Sequence, residues 1–369
     1  MAVSQGWRFA ERTRAGAGDG ITAILGLLAN PDLISFAGGF PDPRTFPAER
    51  VAELARELDA RAFQYAPTQG LEGTRDAVAG RLDRRPEEGE LLITSGGIEA
   101  LELVSKSFLD PGDAVVVEAP TYVGAIMAFR SFEADVHAEP SGTLRPKLVY
   151  TIPDHRNPSG TSLSVEEREA LVEQARRDGF LIVEDVAYRE LGFDGTAPPS
   201  LWSLGPDVVV QIGTTSKTFF PGVRLGWAAG PAEVVAQMTS AKQNTDQCSG
   251  ALGQRLFEEY VRRGWIDEQL RASRALYAQK WELLREALGQ FMPEDVRWTE
   301  PRGGFFTWLT LPGRDATEVA ARAAERNVGV VPGPLFFPDG RGGENVRLSF
   351  SMVDESQIAT GVELLASAL

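Results

Sequence analysis

Residues 147–186 read KLVYTIPDHRNPSGTSLSVEEREALVEQARRDGFLIVEDV. The stretch opens on an apolar run over 147–153 that suits a buried strand. From 165 to 179 charged residues dominate, but Leu171, Val172 and Ala175 share a helical apolar face, and Gly179 follows the last turn as a stop. A second apolar run over 180–185 completes a strand, a helix and a strand. A helical crossover of that length joins parallel strands, so the pattern predicts a βαβ unit in a largely parallel sheet.

Outward from this unit, 114–119, 208–213 and 225–229 are further apolar runs of strand length, and 91–93 is a shorter one. A helical stretch from 232 to about 291 is expected to contain the connection between two lobes. Beyond it the pattern changes: 304–311, 328–332 and 345–351 read as strands, with helices at 316–327 and 354–368. This predicts a smaller α+β lobe. The segment up to about residue 46 carries loop punctuation (AGGFPDPRTFP) and fits either lobe.

Length and composition agree with two lobes. The 369 residues exceed one ordinary domain of roughly 100–200 residues. With 43% hydrophobic and 24% charged residues, there is enough apolar material for a packed core. Lys plus Arg number 37 against 52 Asp plus Glu, a net charge of −15 that repels phosphate backbones and anionic membranes. Nucleic acid and membrane are therefore not expected as partners. One cysteine, Cys248, excludes an internal disulfide framework and a thiolate metal cluster, and two histidines, His137 and His155, exclude a multi-His metal site. No metal is expected. No run reaches the ~20 apolar residues of a membrane span. The first twenty residues lack the apolar core of a secretory signal, and Glu11 and Asp19 disfavour a transit peptide. A cytoplasmic protein with a mobile first twenty residues is the expectation.

Six places carry chemistry-bearing residues. Thr215-Ser216-Lys217 follows the strand VVVQIG, at the carboxyl edge where α/β folds bind ligands. Desolvation and nearby cations lower a lysine's pKa and make it a usable amine nucleophile. Arg224, after Pro221-Gly222, offers a planar fork suited to phosphate. Asp185 ends the strand FLIVED and can hold a cationic partner, with Tyr188 three positions on. Ser95-Gly96-Gly97 opens a segment with apolar residues at 98, 101, 104 and 108, a glycine turn at a helix N-terminus whose free N–H groups suit an anion. Pro153 to Gly160 forms a fixed turn that aims Asn157 across the strand ends. Pro120-Thr121-Tyr122 offers an aromatic face to a planar ring. On 345–351, Val346, Leu348 and Phe350 share one face, and Arg347 shares the other with Ser349 and Ser351; an arginine there can grip a carboxylate bidentately. Taken singly, each also has a plain structural reading: a surface lysine, a capping aspartate, a core tyrosine, a simple turn, an exposed strand arginine.

Together, their order and spacing resemble the fold-type I pyridoxal-phosphate enzymes, and among these the class I/II aminotransferases. The branch with 2-aminoadipate and kynurenine aminotransferases and the transferase-like domains of MocR regulators is the most similar. The resemblance runs from ISFAGGFPDPRTFP (34–47) to VRLSFS (346–351), and Ser-Lys-x-x-x-Pro-Gly-x-Arg-x-Gly over 216–226 is its most specific motif. It implies an α/β fold: a large domain (47–265) with a mostly parallel, seven-stranded-type sheet flanked by helices, and a smaller α+β domain (266–369) joined by an N-terminal arm (1–46). It implies pyridoxal 5'-phosphate as cofactor, with Lys217 forming the Schiff base and shuttling a proton. Asp185 would pair with the ring nitrogen, Tyr188 and Asn157 with the ring's phenolic oxygen, and Tyr122 would stack on the ring. Ser95, Gly96, Gly97, Ser216 and Arg224, with Thr214, would hold the phosphate. Arg347 would bind the substrate α-carboxylate, with Asn157 beside it, and Gly39 would line the entrance. Tyr65, in QYAPTQG, matches a tyrosine that reaches the neighbouring subunit's phosphate, implying a homodimer with shared active sites.

Three departures from that family bear on function. Only residues 139–146 separate the strand near 134–138 from that at 147–153; eight residues reach about 26 Å, too few for a crossover helix. Thr22 stands where aminoadipate enzymes place an arginine for the substrate's distal acid, which Arg14 or Arg44 could replace. Arg156 replaces a common glutamine, with His155 beside it; these can tune the cofactor or be neutral changes in a loop, the preferred reading. The expected activity is transfer of an α-amino group from an amino acid to a 2-oxo acid. The alternative is elimination, replacement or cyclisation on a specialised amino acid with the same cofactor. A non-catalytic effector-sensing domain is disfavoured by the acidic charge and by a family match that begins within about thirty residues of Met1.

Overall fold

The computed structural model describes residues 7–10, 12–13, 33–139 and 144–369. Thr22, Arg14 and most of the first twenty residues lie outside the described residues, as does the middle of the 139–146 connection. In chain order the strands are β1 (Ile34–Ser35), β2 (Leu91–Thr94), β3 (Ala114–Val117), β4 (Asp135–His137), β5 (Leu148–Thr151), β6 (Leu181–Asp185), β7 (Val209–Thr214), β8 (Gly226–Ala229), β9 (Arg297–Trp298), β10 (Phe306–Thr310), β11 (Val328–Gly329), β12 (Val331–Pro332) and β13 (Asn345–Ser349).

Seven strands form one sheet in the order β2-β8-β7-β6-β5-β3-β4. β3 pairs with β4 and β5, β5 with β6 and β6 with β7, all parallel, whereas β8 is antiparallel to β2 and β7. One reversed strand leaves the other six running the same way, so the fold is α/β with the mostly parallel seven-stranded sheet expected. β2 and β8 are buried along their whole length, as strands covered on both faces must be.

The 147–186 unit forms as its residues dictate. Its helix, Val165–Asp178, starts in a capping box: Ser164 Oγ accepts from the Glu167 N–H and the Glu167 carboxylate accepts from the Ser164 N–H. These bonds satisfy two otherwise unpaired donors of the first turn. Gly179, at φ 77°, ends it in the left-handed conformation that glycine adopts without a Cβ penalty. The co-directed strands deliver the turns after β2, β3, β5, β6 and β7 to one edge of the sheet, and those turns carry the residues singled out above.

The remaining strands form a four-stranded antiparallel sheet, β12-β13-β10-β9, and the parallel pair β1-β11. Here the structure corrects the sequence reading. The expected strand over 328–332 is two strands in different sheets: β11 pairs with β1, and β12 with β13. β1 and β9, two residues each, are too short to show a period. The helical stretch over 232–291 is three helices, Ala232–Gln243, Ala251–Arg262 and Trp265–Phe291, the last break falling at Gly264 (φ 71°). Buried aromatics join this region to the large sheet: Tyr188, just beyond β6, meets Phe305 and Phe306 edge-on, with ring centroids 5.4 and 5.6 Å away. The site is therefore built where the two groups of sheets meet.

Candidate active site

A cavity of about 360 Å³ opens at the carboxyl edge of the large sheet. Lys217, Arg224, Arg347 and Asp185 all line it. The chain has five lysines, and the other four are engaged elsewhere. Lys106 donates to Thr245, Lys147 pairs with Asp113, Lys242 with Glu99 and Asp246, and Lys280 with Asp42. Lys217 is the lysine that faces the cavity. Its Nζ donates to the Gly39 carbonyl at 2.8 Å and lies 6.0 Å from the centre of the Phe40 ring. Burial pushes its pKa down to about 8; Asp185 opposes that shift, and Arg347 and Arg224 add to it. Amines in such surroundings are deprotonated often enough to act as nucleophiles.

Asp185, at the end of β6, accepts from Tyr150 Oη at 2.8 Å and from the Ala187 N–H at 3.0 Å. Burial raises its pKa, while Tyr150, the Ala187 N–H and Lys217 pull it down. Two fixed donors hold the carboxylate at the cavity wall, where a cationic ligand atom would be stabilised. Tyr122 and Tyr188 line the same space. Burial pushes the Tyr122 phenol up to about 12, and Tyr188 is shifted upward by the same cause, so both stay protonated and can donate.

One end of the cavity suits an anion. Gly97 begins the helix Gly97–Phe108, whose first N–H groups point outward. Thr214 Oγ1 donates to Ser216 Oγ at 2.9 Å, and both residues line the wall beside Arg224. Arg224, at φ 51°, donates from Nη2 to the Ser95 carbonyl at 3.2 Å. A Cβ at Gly96 (φ +106°) would lie 2.7 Å from that Nη2, so the guanidinium approaches this turn only because residue 96 has no side chain. Ser95 differs from expectation: its hydroxyl donates to Asp246 at 2.9 Å and also meets Ser249, and Ser95 does not line the cavity.

At the other end Arg347 is buried, at 3% exposure, which discards the exposed-arginine alternative. Its Nη1 donates to Asn157 Oδ1 at 2.9 Å and its Nη2 to the Ala37 carbonyl. The guanidinium lies between the Phe306 and Phe336 rings, 4.5 and 4.9 Å from their centres. Its buried Nε has no partner among the described residues. Gly39 lines the entrance, and a Cβ there would lie 2.7 Å from the Phe306 ring. Its loop is tied by Lys280, which is fully buried and donates to Asp42 at 2.6 Å and the Ser351 carbonyl at 2.9 Å. Against the burial that raises it, Arg44 and Lys280 hold Asp42 down to about 2. Arg44 is thus committed to Asp42 and Glu355 and does not line the cavity.

The structure brings together Lys217, Asp185, Tyr188, Tyr122, Asn157, Gly97, Thr214, Ser216, Arg224, Arg347 and Gly39. It leaves Tyr65 outside, 76% exposed. Arg156 is no idle loop residue: its Nε lies 2.9 Å from Glu118 Oε2. Nothing in the sequence marks Tyr150, since a tyrosine inside a strand looks like core. Glu118 carries one signal in the sequence: it follows its strand as Asp185 ends another. Among the described residues no group of three His, Cys, Asp or Glu could hold a metal, and no helix is long and apolar enough to cross a membrane.

An anion cradle, an amine, a carboxylate and an aromatic ring, Tyr122, on the walls of one cavity match a planar, phosphorylated, cationic ring bearing an aldehyde, and the cavity is of ordinary cofactor size. Fold and donor set define a pyridoxal-phosphate enzyme of fold type I. The chain belongs to the aminotransferase class I and II family, which it matches over residues 31–365. It is 38% identical to the 2-aminoadipate transaminase of Thermus thermophilus, covering 95% of this chain and 93% of that one. It is 34% identical to the aromatic-amino-acid aminotransferase 1 of Thermococcus litoralis, covering 98% and 94%. Among solved structures it is similar to the alpha-aminoadipate aminotransferase of Thermus thermophilus complexed with N-(5'-phosphopyridoxyl)-L-leucine: TM-score 0.90, 37% identity, 98% and 97% coverage. The protein is a pyridoxal-phosphate-dependent aminotransferase.

Proposed function

We propose that Lys217 carries the cofactor and moves the proton in amino transfer, that Asp185 faces the ring nitrogen, and that Arg347 grips the substrate carboxylate. The observation that carries this reading is that Lys217, of five lysines, is the one on the cavity, with Asp185, Arg224 and Arg347 on the same walls. When bound, the cofactor supplies an electron sink that makes the bonds at the substrate's Cα labile. The chain's part is to hold and exchange protons. The Lys217 amine would serve as base and acid, and Tyr188 and Asn157 would hold the ring's phenolic oxygen. Gly96, Gly97, Thr214, Ser216 and Arg224 would hold the phosphate, Tyr122 would stack on the ring, and Ser95 would support the turn from behind. The large domain is assigned to 47–265 and the small domain to 1–46 and 266–369.

The substrate side chain would meet Phe40, Ile98, Val123 and Ile152, which line the cavity. Among the described residues lining it, the cations are Lys217, Arg224 and Arg347, each with a role above. This favours amino acids with apolar or aromatic side chains over those with a distal acid, although one similar protein acts on 2-aminoadipate. A panel of amino acids given to the loaded protein without an acceptor tests this. Apolar and aromatic members are expected to leave the cofactor in its amine form fastest. Release of ammonia or an altered carbon skeleton would instead mean elimination or replacement.

The exposed Tyr65 supports a homodimer in which each copy completes its partner's phosphate site. A monomer by light scattering would remove that assignment.

The depressed Lys217 pKa gives a pH dependence. Below about 8 the amine is mostly protonated, and only its falling neutral fraction would be able to react with the cofactor's aldehyde. Uptake of cofactor by the apoprotein, followed by absorbance, is expected to slow about tenfold per pH unit below that value and to level off above it. A plateau reached only near the ordinary lysine pKa would contradict the buried, cation-flanked amine.

A further inference from the structure

Beside Asp185 lies a second carboxylate to which none of the roles above extends. Glu118 directly follows β3, Asp185 ends β6, and β5 runs between those strands. The register sets Val117 beside Tyr150 and Thr151 beside Glu184. Glu118 and Asp185 therefore emerge at the same edge about two strand spacings apart, ~10 Å.

Every side of Glu118 is held. Thr151 Oγ1 donates to its Oε2 at 2.7 Å, the Ile152 N–H to its Oε1 at 3.0 Å, and Arg156 Nε lies 2.9 Å from Oε2. Tyr150, on the strand between the two carboxylates, donates to Asp185. Burial pushes the Glu118 carboxyl up to about 7; Arg156 opposes this and Asp185 adds to it. The other titratable groups facing Asp185 are Lys217, Tyr122, Tyr150 and Tyr188, with Arg347 acting on Tyr122 and Tyr188. His155 packs against Gly303 and Gly304, and Asp154 is taken by Arg168 and Arg189. Arg156 is thus the cation that answers Glu118.

We propose that Glu118 and Arg156 form a charge-balancing pair behind Asp185 that sets how firmly the cofactor's ring nitrogen holds its proton. This rests on the assignment of Asp185 to that nitrogen. Both are positioning residues, acting through Asp185 and Tyr150. An uncancelled Glu118 charge raises the local negative potential and favours protonated states at the ring. An uncancelled Arg156 does the reverse. Paired, they leave Asp185 in control.

The test is a pH titration of the bound cofactor's ring nitrogen in the loaded protein, followed by its nitrogen-15 resonance. Glu118→Gln, which leaves Arg156 uncancelled, is expected to lower the midpoint by about 0.5–1 pH unit, the size expected of one charge at this separation in a partly screened site, and Arg156→Gln to raise it by less, since Glu118 without its cation takes up a proton more readily. The double variant returns to the native midpoint, and Arg156→Lys, which keeps the charge, stays near it. Equal midpoints throughout, or shifts of the same sign in both single variants, would overturn the pair. A purely structural role would lower the apoprotein's melting temperature without opposite shifts. Should Glu118→Gln fail to fold, Arg156→Gln against Arg156→Lys decides the question. Persistence of the native absorbance band in Lys217→Ala would mark failure of the cofactor assignment instead.

Discussion

Alanine at position 217 is expected to leave the fold in place, abolish the yellow absorbance of covalently held cofactor, and lower turnover by at least ~10³-fold. No other lysine is free to take the same place, since the other four are tied to Thr245, Asp113, Glu99 with Asp246, and Asp42. Retention of the fold follows from the environment. Lys217 makes one hydrogen bond, to the Gly39 carbonyl, and burial disfavours its charge, so its removal relieves a desolvated cation. Lys217→Arg keeps a cation there but not a deprotonable amine, and is expected to be as inactive as alanine. Absorbance spectra and single-turnover kinetics on both variants, with melting curves as the control, check this. A variant that keeps the normal band would remove Lys217 from its role.

Arg347→Ala is expected to lower kcat/KM by about 10²–10⁴-fold, the loss of two charge-assisted hydrogen bonds at about 1.5–3 kcal/mol each. The guanidinium is fixed by the Phe306 and Phe336 rings and by bonds to Asn157 and the Ala37 carbonyl. Such pre-positioning leaves little ordering to be done when substrate arrives. Lysine cannot replace the planar fork, so Arg347→Lys is expected to recover only a small part of the loss. The cofactor's spectrum should persist in both variants, which separates carboxylate binding from cofactor binding. Unchanged kcat/KM across amino acid substrates would show that the carboxylate lies elsewhere.

Much of the site was legible because strand endings are. An apolar run that stops on Asp185, or just before Thr215-Ser216-Lys217, announces a residue at the sheet's carboxyl edge, and the βαβ unit at 147–186 says that such edges gather on one side. The rest depended on register and on long-range contacts. Tyr150 meets Asp185 only because β5 lies beside β6, which the spacing of apolar residues does not specify. Lys280 and Asp42 meet across 238 positions, with no local pattern at either. Val328–Gly329 and Val331–Pro332 look like one run in sequence, yet they pair in different sheets. Ser95 sits in the turn as expected, but its hydroxyl answers Asp246, a partner 151 residues away. Arg156 looked neutral while Glu118 was unseen, since the worth of a charge depends on what faces it.

The most direct test of the whole account is borohydride reduction of the loaded protein, followed by digestion and mass mapping. The phosphopyridoxyl mass is expected on the peptide containing Lys217 and on no other. The same mass on Lys106, Lys147, Lys242 or Lys280, or on no lysine at all, would contradict it.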